Sequence, residues 1–120
     1  MFFALLSVAL VGCVTDSLSG TMMSKNLTSG HWTISAKTIN GHVSQTIDFS
    51  SDDLAALHVK NTNSDGKVSL VLTEGIATKT FDVTGTYDGS IDTSAFTPGK
   101  ITIRLNLENA KNIDVSVNWK

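Results

Sequence analysis

The chain has 120 residues, and its nine basic and eleven acidic side chains give a net charge of −2 at pH 7. Hydrophobic residues make up 41% of it, which is enough to bury the core of a single domain. The charged residues are scattered along the chain, without the basic stripe that neutralises nucleic-acid phosphates, so we expect no nucleic-acid partner.

The N-terminal segment is apolar from Met1 to Gly12 except for Ser7. A membrane-spanning helix needs roughly 20 such residues, so this shorter segment predicts a removable signal peptide over residues 1–12. It ends in Leu10-Val11-Gly12-Cys13, which resembles the lipobox of bacterial lipoproteins. The resemblance implies that a diacylglyceryl group is joined to the Cys13 thiol and that the chain is then cut before this residue.

Lipid attachment at Cys13 implies an extracytoplasmic protein held on the cell membrane or the outer membrane. Each buried acyl methylene contributes about 0.8 kcal/mol, so two or three acyl chains would make the attachment stable. Cys13 is also the only cysteine of the chain. We therefore expect no disulfide bond, and the domain must be stabilised by its core alone.

Residues 13–30 are rich in Ser, Thr and Gly and show no sustained apolar period. This composition predicts a flexible tether between the lipidated Cys13 and a domain over residues 31–120. Met22 and Met23 could form a soft-metal site with His31, but their spacing matches no known ligand pattern. Methionine more commonly fills gaps in a core or packs in a short strand, so we expect no metal there.

Beyond His31, apolar and polar residues alternate, which is typical of strands with one buried face. Asn40-Gly41 interrupts the first run and supplies the positive φ angles of a type I′ turn, which predicts a hairpin. Gln45 is the one polar residue on the inward face of the returning strand. The inward apolar residues of these two strands are Trp32, Ile34 and Ala36, then Val43, Ile47 and Phe49.

Five further alternating runs complete the predicted fold. Helix signals are weak, apart from one capped turn near Ser51-Asp52-Asp53. Seven or eight short strands, spaced about 10 to 12 residues apart by turn signals, predict an all-β fold, an antiparallel two-sheet sandwich. The inward residues of the later runs are Leu57 and Val59; Val68, Leu70 and Leu72; Phe81 and Val83; Ile101, Ile103, Leu105 and Leu107; and Ile113, Val115, Val117 and Trp119.

The segment from Ile91 to Ile101 resembles the loop-and-turn element of Ig-like and fibronectin-like sandwiches. In those folds a short apolar anchor and a Pro-Gly turn, here Pro98-Gly99, lead into a late core strand. The resemblance implies an Ig-like architecture and no particular function, because many unrelated functions share that fold.

Asn61, Asn63, Asp65 and Gly66 resemble the first half of an EF-hand calcium loop. The first position lacks a carboxylate, however, and Leu72 stands where such a loop needs its bidentate glutamate. A hairpin turn at Asp65-Gly66 explains the same residues better, so we expect no calcium site.

Catalytic motifs are absent from the sequence. There is no Gly-x-Ser-x-Gly or His-Glu-x-x-His motif, and lipidation would consume Cys13. His31, His42 and His58 fall at a strand start, a hairpin turn and an outward strand position, which is typical of surface histidines. Asp52-Asp53 favours a helix-capping role. We predict a non-enzymatic protein without catalytic residues, metal or cofactor.

Small sandwich domains on bacterial surfaces often resemble carbohydrate-binding modules, which stack sugars on exposed aromatic side chains. Most aromatic residues of this chain fall on inward registers and are expected in the core. Tyr87 and Phe96 are the exceptions. Tyr87 lies beside Asp88-Gly89 in a predicted loop, so Tyr87 and Asp88 are the candidate ligand-binding residues. The sequence thus favours a lipid-anchored surface-interaction or envelope module with an unknown protein or glycan partner. A small carbohydrate-binding module is the alternative.

Overall fold

The computed structural model describes the backbone of residues 14–120 and the side chains from residue 18 onward. All strand pairs in this part of the chain are antiparallel, and eight strands belong to one sheet. The predicted all-β, antiparallel fold of seven or eight strands is therefore confirmed. The elements are β1 (Val14–Thr21), β2 (Ser24–Thr28), β3 (His31–Phe49), α1 (Ser51–Ala55), β4 (His58–Thr62), β5 (Asp65–Glu74), β6 (Ala77–Asp82), β7 (Tyr87–Ser90) and β8 (Gly99–Asn118).

Two long strands, β3 and β8, organise the sheet. They pair with each other from His31 opposite Asn118 to Phe49 opposite Gly99. One half of this pair is flanked by β2 and β4, with β7 beyond β4, and we call this half the first layer. The other half is flanked by β1 and β5, with β6 beyond β5, and we call it the second layer. The two layers of the sandwich are thus continuous through β3 and β8.

The long strands bend where the two layers meet. A straight strand with the 19 residues of β3 would span about 63 Å, whereas the longest dimension of the molecule is 35 Å. The register between β3 and β8 shifts between Ile39 and Gly41, and Asn109 of β8 has a φ of 50°. The backbone N–H of Asn109 donates a hydrogen bond to Asn40 Oδ1 at 3.0 Å. Since the β5–β8 register shifts at the same level, three strands bend together at one corner.

The hairpin predicted at Asn40-Gly41 is therefore wrong. Gly41 has a φ of 126°, outside the left-handed region that a type I′ turn requires, and the chain continues in β3. The last two predicted strands are likewise one strand, β8. The predicted interruption between them lies within β8 at Asn109 and Asn112. Both have left-handed φ angles, which asparagine tolerates better than most residues.

The hairpin predicted at Asp65-Gly66 is also wrong, because β4 and β5 do not pair with each other. β4 lies between β7 and β8 in the first layer, and β5 lies between β6 and β8 in the second. The link between β4 and β5 therefore passes from one layer to the other. Gly66 has a φ of 81°, and a Cβ there would lie 2.4 Å from the carbonyl oxygens of Glu108 and Asn109, so the corner requires glycine.

The flexible tether predicted over residues 13–30 is wrong for the described part of that range. Val14–Thr21 and Ser24–Thr28 form strands that pair with β3 along the edge of the sheet. Residues 19–26 are all exposed, so the polar composition of this segment reflects an edge position and not a lack of structure. The folded domain consequently includes residues 14–30.

The inward side chains of both layers form one hydrophobic core, as the alternation predicts. Phe49 and Trp119 pack edge to face with ring centroids 5.6 Å apart, which joins the far end of β3 to the far end of β8. Short helix α1 follows β3 and buries Leu54. Ser50 caps this helix by accepting a hydrogen bond from the backbone N–H of Asp53 at 3.1 Å. The predicted turn is therefore confirmed, but the predicted capping role of Asp52 and Asp53 is wrong, because both lie inside its first turn.

Candidate functional site

The outer face of the first layer carries a row of polar side chains on neighbouring strands. His31 of β3 and His58 of β4 lie on either side of Asn118 of β8. His31 Nδ1 and Asn118 Oδ1 are 2.5 Å apart, and His58 Nε2 donates to Asp88 Oδ1 of β7 at 2.5 Å. Because Asn118 separates the two histidines, they do not converge on one point. The third histidine, His42, lies half-buried within β3, where a hairpin turn was predicted.

Tyr87 and Asp88 lie in strand β7 and not in a loop. Successive side chains of a strand point to opposite faces. Tyr87 is half-buried and packs against the core, whereas Asp88 is exposed and contacts His58 on the outer face. The structure therefore does not bring these two predicted ligand-binding side chains together.

Asn61 and Asn63, which resemble calcium ligands in the sequence, hydrogen-bond to the protein backbone. Asn61 is fully buried, and its Nδ2 donates to the carbonyl oxygens of Val83 at 2.7 Å and Gly85 at 3.3 Å. Asn63 Oδ1 accepts from the backbone N–H of Gly85 at 2.7 Å and from Asn61 Nδ2 at 2.9 Å. These amides join the loop after β6 to the link between the layers, and the Asn63 oxygen is already saturated with N–H donors.

Three carboxylates have pKa values below their ordinary range because nearby hydroxyl and backbone N–H groups donate hydrogen bonds to them. The donors are Thr97 for Glu74, Thr84 for Asp82 and Ser94 for Asp92. A lowered pKa keeps each group ionised at neutral pH. An ionised carboxylate accepts hydrogen bonds that hold a loop in place, but it has no proton to donate in catalysis.

An open groove of about 400 Å³ lies between the end of β2 and the end of β3. Its apolar wall is formed by Leu27, Ile47 and Trp119, and Asp48, Asp53 and Lys120 are among its polar lining residues. Only 4% of the Trp119 surface is exposed, so most of its ring belongs to the core. Sequence reasoning missed this groove because its lining comes from separate segments of the chain, and no local pattern places them side by side.

The signal peptide predicted over residues 1–12 and the lipidation predicted at Cys13 fall outside the described residues. Within residues 14–120 we find no helix that is long and apolar enough to cross a membrane. The same residues contain no group of three or more His, Cys, Asp or Glu side chains placed to hold a metal ion. Comparisons with protein-family models and with curated proteins gave no match.

Proposed function

We propose that this protein is a lipoprotein, anchored through Cys13, whose β-sandwich is a non-enzymatic interaction module at the extracytoplasmic surface of a membrane. The observation that carries the proposal is the segment Leu10-Val11-Gly12-Cys13 at the end of an apolar leader. Every described strand pair lies after Cys13, so removal of residues 1–12 would leave these pairs intact.

The arrangement of polar side chains supports a binding role over catalysis. His58 and Asp88 contact each other, but side chains of 39% and 57% exposure on a sheet face provide no enclosed space for a reaction. His42 belongs to the other layer, and the carboxylates with lowered pKa values are engaged in loops. An exposed polar face of this kind is suited to contact with another macromolecule.

Membrane fractionation of a Cys13→Ser variant tests the anchor. We expect the unaltered chain in the membrane fraction and the variant either released or retained as an uncut precursor. Val14→Ala is the matched control, since it changes the neighbouring residue and leaves the four-residue segment intact. Full membrane retention of a processed Cys13→Ser chain would refute lipid anchoring.

Glycan binding is the second candidate, and the groove beside Trp119 is the observation that favours it. Its apolar wall and its carboxylates Asp48 and Asp53 are a combination that suits a sugar, which has apolar faces and hydroxyl donors. Tyr87 is a poorer candidate because it is half-buried, and Tyr87→Ala would change stability along with any binding.

Retention on immobilised cell-wall polymers and host glycans would decide this question. If the groove binds sugar, Asp53→Asn lowers retention several-fold and Asp88→Asn does not. The opposite result would favour the outer face of β7. The absence of retention for the unaltered protein would leave a protein partner or an envelope structural role.

A further inference from the structure

The tip of the β5–β6 turn carries the most exposed apolar side chain among the described residues. Ile76 has 104% relative exposure, and the other strongly exposed one is Met22 at 80%. Tight hairpin turns usually place Gly, Asn, Asp or Ser at such positions, because these residues suit both the backbone angles and water. Here Gly75, with a φ of 59°, provides the backbone angle, and the tip Gly75-Ile76-Ala77 has no polar side chain.

This tip is held in place by its neighbours. Glu74, the last residue of β5, accepts hydrogen bonds from the backbone N–H of Thr97 at 3.0 Å and from Thr97 Oγ1 at 2.7 Å. The carboxylate is thereby directed to the loop before β8 and away from the tip. The tip of the turn is therefore apolar, and the charged side chain next to it, Glu74, is already hydrogen-bonded to Thr97.

The strand registers place this tip at the end of the sheet where the chain enters from Cys13. Val14 lies opposite Gln45, Gln45 opposite Ile103, and Ile103 opposite Leu72. Neighbouring strands in this row are antiparallel, so β1 and β5 run in opposite directions. The start of β1 and the end of β5, which leads to Ile76, therefore lie at the same end of the sheet. The row crosses three strand spacings, or about 14 Å, and the tip projects roughly 10 Å beyond it. Met22, by contrast, follows the opposite end of β1.

We propose that the β5–β6 tip is a second membrane contact, with Ile76 inserted into the interfacial region of the bilayer to which Cys13 is anchored. This inference rests on the lipid anchor proposed above. Because Val14, the residue after Cys13, already belongs to β1, no spacer separates the lipid from the fold, and the end of the sheet that carries Ile76 is held against the membrane. Transfer of an exposed isoleucine side chain from water into that region lowers the free energy, and on a fixed turn the side chain is already in position for it.

The charges around the tip indicate a contact that does not depend on anionic lipid. Glu74 and Asp92 are ionised, with lowered pKa values, and Lys79 lies close enough to Asp92 to contribute to its shift. The signs are mixed, without the basic cluster that binds anionic headgroups. The partner is therefore a zwitterionic lipid surface, and we expect the contact to be insensitive to salt.

Spin labelling of the lipidated protein in phosphatidylcholine vesicles tests this contact. With the Cys13 thiol occupied by lipid, Ile76→Cys provides the only reactive thiol for a nitroxide label, and Met22→Cys is the matched control. We expect collisions with dissolved oxygen to exceed collisions with a water-soluble nickel chelate several-fold at position 76. The ratio should be reversed at position 22. Both positions are exposed, so unchanged melting temperatures would verify that the fold is intact.

The outcomes separate this inference from the lipid anchor. Equal access of the nickel chelate to both labels, on protein that floats with the vesicles, would overturn the second contact and leave the anchor standing. Protection of both labels would also overturn it, because the contact would not be specific to the tip. Protein that fails to float and reacts with the label at Cys13 would refute the anchor, and the second contact with it.

Discussion

Asparagine side chains take the place of regular strand pairing where the backbone of this protein is irregular. Asn61 and Asn63 bind the loop that follows β6, and Asn40 binds the backbone of Asn109 at the corner. A side-chain amide carries both donors and an acceptor, so it can satisfy backbone groups that have no strand partner. In the sequence these residues look like ligands or turn formers, because the backbone groups they bind lie far away along the chain.

Asn63→Ala tests this role. The substitution removes the acceptor for the Gly85 N–H and the donor to the Asp65 carbonyl. We expect it to lower the free energy of unfolding by about 2 kcal/mol, measured by urea denaturation. Asn26→Ala, at an exposed position of edge strand β2, should change it by less than about 0.5 kcal/mol. Equal effects of the two substitutions would contradict the assigned role.

The Glu74 carboxylate makes a pH-dependent contribution to stability. Hydrogen bonds from Thr97 lower its pKa in the folded protein, so the stabilisation is fully present above the ordinary glutamate pKa of 4.5. It is lost as the pH falls through the lowered pKa. Denaturation at neutral pH and at about pH 3 should therefore show that Glu74→Gln destabilises the protein at neutral pH and less so in acid. If Glu74→Gln destabilised the protein equally at both pH values, the result would contradict this contact.

At the scale of elements, the central feature is the corner at which β3, β5 and β8 bend together. The alternation of apolar and polar residues located nearly every buried side chain, because inward registers depend only on local period. It could not distinguish a hairpin turn from a bend, since Asn and Gly serve both. The difference lies in the partner strand: Asn109 bends opposite Asn40, and this match is visible only after the strands are paired.

Gly66→Ala tests the corner, and Gly85→Ala is its matched control. Both glycines have similar left-handed φ angles of 81° and 78°. A Cβ at Gly85 has no atom within 4 Å, so only backbone strain of about 1 kcal/mol is expected. At Gly66 the close approach of two backbone carbonyls adds to this strain. We expect Gly66→Ala to lower the free energy of unfolding by about 3 kcal/mol or more. Similar melting temperatures for the two variants would argue against the bent corner.

At the scale of the whole molecule, the sandwich begins earlier in the chain than its composition indicates. Polar residues between Val14 and Gly30 match a linker in composition, but they form the edge strands beside β3. Edge positions have few burial requirements, so the sequence carries little signal for them. The groove beside Trp119 could not be predicted for a similar reason, because it depends on how the two layers close.

Removal of β1 should therefore destabilise the domain. A chain that starts at Met22 lacks all eight residues of β1 and exposes the edge of β3 from Thr38 to Gln45. We expect a lower melting temperature and concentration-dependent aggregation, because an open strand edge pairs with other chains. A chain that starts at Val14 is the control. Identical melting and solubility of the two chains would show that residues 14–21 are a tether after all.

Lipid anchoring can be tested by the mass of the N-terminal peptide of the mature protein, isolated from the membrane fraction of a bacterial host. Lipid anchoring predicts a chain that begins at Cys13, with a diacylglyceryl group on its sulfur. A chain that retains residues 1–12 and a free Cys13 thiol would contradict both the anchor and the membrane contact inferred from it.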